Sequence, residues 1–148
     1  MSAENQGAAG NGGEATGVVS KTVNLTNAQV LLLGTTPVTL IAAPGVGKSI
    51  DVVSVTIIFK YTGAYTSPLN VKCYWGSRIA GNACSVAATG SGFFDATANI
   101  AIRVSGIPDN TNPPVTNLAV VLTTTTGGNM GGGNASNSVR VVIHYRIV

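Results

Sequence analysis

The chain is predicted to be all-β, an antiparallel two-sheet sandwich of about eight strands, jelly-roll-like, with at most one short helix. Three observations predict it. Several short segments alternate apolar and polar residues with period two, which is the signature of half-buried strands. The joints between them are rich in glycine and proline, which break regular structure. β-Branched residues crowd the alternating runs, and they fit a pleated sheet better than a helix. The 148 residues are enough for one domain with a real core.

Residues 1–19 read as a flexible N-terminal arm and residues 20–148 as the sandwich domain. The arm centres on Gly-Ala-Ala-Gly-Asn-Gly-Gly, which offers too little apolar area to offset its ordering entropy. It is expected to order only against something outside the domain. Val23-Asn24-Leu25 reads as a short strand. Thr26 and Gln29 have capping-box spacing, so Ala28 to Leu33 is expected to make one or two helical turns that Gly34 ends. Val38-Thr39-Leu40-Ile41 is extended.

Ala42-Ala43-Pro44-Gly45-Val46-Gly47-Lys48-Ser49 matches the phosphate-binding P-loop pattern. That motif needs a helix after it, whose amides and dipole hold the anion. Here a strand follows: Val53, Val55, Ile57, Phe59 and Tyr61 fall on one face, Ser54, Thr56, Ile58 and Lys60 on the other. The segment therefore reads as a turn between strands. A nucleotide-binding enzyme would show ATP affinity that depends on Lys48.

Tyr61 to Pro68 is a turn-rich loop. Leu69, Val71, Cys73 and Trp75 alternate with Asn70, Lys72 and Tyr74. Gly76 to Gly92 is a small-residue loop with a short strand at Ala83 to Ala87. Ile100, Ile102 and Val104 alternate with Asn99, Ala101 and Arg103. Ile107 to Pro114 is a loop. Leu118, Val120 and Leu122 mark a strand that trails into Thr123 to Thr126. Gly127 to Asn137 holds five glycines and three asparagines and is expected to be a mobile, exposed hairpin connection joining an antiparallel pair. In the last strand Val139, Val141, Ile143, Tyr145 and Ile147 face in, while Arg140, Val142, His144 and Arg146 face out.

Charged residues are 9% of the chain, against about 25% in ordinary soluble domains. Low charge lowers the cost of covering the surface with a neighbour. A secreted β-domain with a neutral polar exterior would share that composition. The net charge of +3 comes from eight scattered basic residues against five acids, with no basic run and no basic–aromatic interleaving. No direct nucleic-acid groove is expected. No apolar stretch is long enough to span a membrane, and residues 1–17 carry no signal-like apolar core. The chain is expected to work in the cytoplasm where it is made or to leave inside a larger particle.

Catalysis needs convergent groups, and the supply is thin. His144 sits on the outward phase of the last strand; Asp51, Asp95 and Asp109 lie in separate segments; the serines lack a nucleophile elbow. Cys73, Cys84 and His144 lack zinc-site spacing, and the two thiols are expected to be free. The chain is expected not to be an enzyme, and no catalytic, cofactor or metal residues are assigned. Tyr61, Tyr65, Tyr74, Trp75, Phe93 and Phe94 offer a sugar-stacking platform or, with the inward phase of Trp75, core packing. Ile58, Val121 and Val142 are apolar residues on outward phases, suited to contact with neighbours.

The run from Leu25 to Ile50, Leu-Thr-Asn-Ala-Gln-Val-Leu-Leu-Leu-Gly-Thr-Thr-Pro-Val-Thr-Leu-Ile-Ala-Ala-Pro-Gly-Val-Gly-Lys-Ser-Ile, resembles the opening of small virion structural proteins of tailed bacteriophages. In these a capped turn, a Thr-Pro-Val piece and a Pro-Gly-x-Gly-Lys loop precede a long valine-rich strand. The resemblance covers residues 22–60 and the final strand. It implies a head decoration (cement) protein: a homotrimer on the capsid surface, made in the host bacterial cytoplasm, with the major capsid protein as its partner. The alternative it leaves is a tail or fibre module that binds host-surface glycan or another tail protein.

Overall fold

The computed structural model describes residues 17–107 and 111–148. Most of the expected N-terminal arm, residues 1–16, lies outside the described residues, as does Asp109. Sheet A contains β1 (Val19–Thr26), β3 (Ile50–Lys60), β6 (Ile100–Ser105) and β9 (Ser138–Ile147), in the order β1-β9-β3-β6. Sheet B contains β2 (Val38–Ile41), β5 (Val71–Trp75) and β7 (Val120–Thr124), in the order β2-β7-β5. A small pair, β4 (Tyr65–Thr66) and β8 (Gly131–Gly132), completes the strands, and every pairing is antiparallel.

The eleven-residue β3 is the spine of sheet A, paired with β9 on one side and β6 on the other. Its alternation is broken once, by a register shift between Val52 and Ser54. Before the shift Ile50 and Val52 are buried; after it Val55, Ile57 and Phe59 are. The expectation that Val53 faces in is corrected: it is 39% exposed. A bulge inserts one residue, and one residue reverses the phase of everything before it. β9 follows its expected alternation, with Val139, Val141 and Ile143 fully buried.

In place of the expected strand at Ala83 to Ala87, this segment makes isolated bridges. Ala83 and Ala88 pair with Tyr74 and Val71 of β5, and Ser85 pairs with Gly106 just beyond β6. It thus acts as a fourth edge to sheet B and stitches that sheet to sheet A. The two larger sheets thus form an antiparallel sandwich-like arrangement. The same segment overturns the outward exposure expected of Val121, which is buried with Tyr74 and Ala83. The chain after Trp75 doubles back through a 3-10 turn at Ala80–Asn82, and the Asn82 amide donates to the Trp75 carbonyl at 2.8 Å.

Two further expectations are corrected. β7 and β9 belong to different sheets, so Gly127 to Asn137 is a crossover between sheets and not a hairpin. Nor is it simply exposed, because its asparagines pin it. Asn129 Oδ1 accepts from the Gly34 and Thr35 amides at 3.0 and 3.1 Å. Buried Asn137 accepts from the amides of Thr62 and Gly63 and donates to the Gly63 carbonyl. The crossover lies so close that a Cβ on Gly34 would overlap the Gly128 carbonyl. The expected capping box is present: α1 (Asn27–Leu31) starts from reciprocal bonds between Thr26 and Gln29, but it is one turn long and capped at Leu32, short of the expected end at Gly34.

The core lies between the sheets. Phe59, Tyr65, Phe93 and Phe94 pack together at one end, with Phe93 and Phe94 edge to face at 4.8 Å. Toward the other end the Trp75 indole N–H of sheet B donates to the Ile50 carbonyl of sheet A at 2.8 Å. Replacing Trp75 by Phe keeps an aromatic ring but leaves that buried carbonyl without its donor. The expected loss is at least about 1–3 kcal/mol in urea unfolding; an unchanged midpoint would show that the bond contributes nothing.

Candidate functional site

The candidate site is the outer face of sheet A, an interaction surface. Register places its residues in rows across four strands. Thr22, Val142, Thr56 and Arg103 form one row, and Asn24, Arg140, Ile58 and Ala101 form the next. Val142 and Ile58 are half-buried at the centre, while Arg103, Arg140 and Lys60 are exposed around them. Among the described residues the only acid on this face is Asp51, and Arg146 already holds it, through Nε at 3.1 Å and Nη2 at 2.5 Å. Sheet B is different. The outward side chains Tyr74, Val121 and Thr123 are buried by the protein's own loops. Thr123 Oγ1 donates to the Leu33 carbonyl at 2.7 Å, and Arg78 reaches across to the Gly34 carbonyl at 3.3 Å.

Among the described residues this face contains a pairing that looks catalytic: Ser54 Oγ lies 3.5 Å from His144 Nδ1. Activation of a serine needs a third group to orient the base. The nearby carboxylate in register, Asp51, is committed to Arg146. Asp95 accepts from the Gly92 amide at 2.6 Å and so closes its own turn. It follows Phe94, which packs on Phe59 at the far end of β3, eight residues from Asp51 or about 25 Å along the strand. These two carboxylates cannot share a substrate.

The P-loop-like segment is a tight turn. Gly45 and Gly47 take positive φ, and the Lys48 amide donates back to the Gly45 carbonyl at 3.1 Å. The Gly45 amide is bound by Asn117 Oδ1 at 3.0 Å, and the Ser49 amide by the Val148 carbonyl at 2.9 Å. Three amides that would have to face a phosphate are therefore satisfied within the chain. The next residue, Ile50, begins β3. Asn117 itself was not legible as a partner, since the contact spans 72 positions.

Cys73 and Cys84 are free, buried thiols, adjacent through the bond from the Cys84 amide to the Cys73 carbonyl at 2.9 Å. Both lie in the core, whereas His144 is on the outer face of sheet A, so the three do not converge. Burial pushes the Cys73 thiol up to about 12, with the Ser85 hydroxyl pulling slightly the other way. Burial raises Cys84 as well, and its neighbour Cys73 adds to the rise. Of the aromatic candidates, Tyr65, Tyr74, Trp75, Phe93 and Phe94 are buried and Tyr61 is half-buried against Phe59. They pack the interior and form no stacking platform.

No protein-family model matches the chain, and no curated protein sequence does. Among solved structures, it is similar to a chain of the cyanophage Pam1 capsid asymmetric unit, with a TM-score of 0.46 and 18% identity over 93% of this chain and 89% of that one. It is also similar to a chain of the capsid of Ralstonia phage GP4, with a TM-score of 0.47 and 13% identity over 88% of this chain and 84% of that one. A chain of infectious bursal disease virus gives a TM-score of 0.39 and 18% identity over 88% of this chain but 36% of that one. With every score below 0.5, these likenesses assign no role.

Two outcomes follow from the geometry. The unfolded thiols ionise near 9, but the folded ones resist ionisation, so their stabilising contribution is complete below pH 9 and is lost as pH rises toward 12. Stability should fall by about 1.4 kcal/mol per pH unit per thiol in that window. Urea titrations at pH 8 to 11 should show a shallower fall in a Cys73→Ala/Cys84→Ala variant; identical slopes would refute the thiol origin. Millimolar MgATP should leave the melting temperature unchanged in wild type and in Lys48→Ala alike. A shift present only in wild type would restore the nucleotide reading.

Proposed function

We propose that this chain is a structural protein of a tailed-bacteriophage virion, of the head decoration type. It binds the lattice of the major capsid protein, stabilises the head and self-associates as a homotrimer. The observation that carries the reading is the bare outer face of sheet A, apolar at its centre with basic residues around it, on a body whose other face is roofed by its own loops. An apolar centre with arginine around it suits association with another protein. Residues 22–60 support the reading: they fold as a capped turn, an extended piece, a Pro-Gly turn and a long strand, in the order of the pattern they resemble.

In this proposal residues 1–19 are an arm laid on the capsid protein or an adjacent subunit, and residues 20–148 are the rigid body. The protein is made in the host cytoplasm and resides on the capsid surface. The tail-fibre alternative loses its glycan-stacking residues to the core. Purified chain mixed with heads of its own phage should co-sediment and raise the temperature at which they rupture. Deletion of residues 2–17 should lower occupancy. Wild-type chain that stays in the supernatant would overturn the decoration role, and full occupancy by the deletion variant would remove the arm from it.

A further inference from the structure

The outer face of sheet A carries a distinct charge pattern. Lys60, Arg103 and Arg140 stand on it without an ion pair among the described residues, and its single acid is neutralised by Arg146. Arg103 is on β6 and Arg140 on β9, with β3 between them, and they are one row apart. Strand and residue spacings put their Cα atoms about 12 Å apart. The two guanidinium groups can engage two separate carboxylates on an extended surface, each through a planar fork.

The residues between them refine the partner. Thr56, Ile58 and Val142 form a neutral, partly apolar centre that a phosphate backbone has no use for, and three unpaired cations are few for a nucleic-acid track. Arginine around an apolar centre is the composition of protein interfaces. On the reading of the chain as a decoration protein, we infer that this face seats on the major capsid protein. The complementary patch there presents carboxylates to Arg103 and Arg140 and an apolar residue to the Ile58–Val142 centre.

The test uses full-length chain and heads of its own phage. Arg103→Glu/Arg140→Glu should lower affinity for heads by at least tenfold. Lys48→Glu/Lys72→Glu, which changes net charge equally but lies off this face, should change it less than threefold. Arg103→Gln/Arg140→Gln, which removes charge without reversing it, should fall between, and melting temperatures of all variants establish that they fold. Equal losses in both reversed pairs would reduce the effect to general attraction and overturn the proposal. So would undiminished binding by Arg103→Glu/Arg140→Glu, with the decoration role left standing. Wild-type chain that fails to bind heads overturns both. Retention of duplex DNA by wild type in a gel shift, lost in Arg103→Glu/Arg140→Glu while head binding persists, would reassign the face to nucleic acid.

Discussion

The bond from the Trp75 indole to the Ile50 carbonyl holds the two sheets in register at the point where three elements meet. Ile50 is the first residue of the sheet A spine, Trp75 is the last residue of β5, and the Gly45–Lys48 turn leads into Ile50 through Ser49. A sandwich is secured by burial between its faces, but burial is non-directional and tolerates sliding. One buried donor and acceptor, by contrast, hold a defined offset between the sheets. The bulge after Val52 lies just beyond this point, and it brings Asp51 and Ser54 to the outer face while Ile50 and Val52 stay inside.

Asparagine does for the loops what tryptophan does for the sheets. Asn117, Asn129 and Asn137 each bind backbone amides far away in sequence. These side chains replace the charged pairs that the chain largely lacks; among the described residues Arg146 and Asp51 form its ion pair. Neutral amide staples are insensitive to ionic strength, so the loops should hold in high salt and low salt alike. The sheet A face is the exception, since its cations have no internal partner.

Much of the architecture was legible because it is local. The capping box of Thr26 and Gln29, the phases of β3 after its bulge, β5 and β9, and the strand that follows Lys48 all come from residues a few positions apart. What failed was long-range. The bulge at Val53 has no local signature, and Gly131 and Gly132 pair with Tyr65 and Thr66 without any strand propensity. After β7 glycine marks a turn without saying which sheet it leads to, so a hairpin and a crossover look alike in the sequence. The outward phases of Lys60, Arg103 and Arg140 were each readable, but nothing short of strand order puts them on one surface.

Val46 stands at the tip of the Gly45–Lys48 turn with 91% of its surface in solvent. The base of that turn is closed by Asn117 on one side and by the Ser49–Val148 pair on the other. A peptide spliced in at Val46 would break one short-range bond, from the Lys48 amide to the Gly45 carbonyl, and leave the base intact. The segment that resembles a phosphate cradle is thus a grafting point at Val46, where foreign sequence can be displayed away from the core.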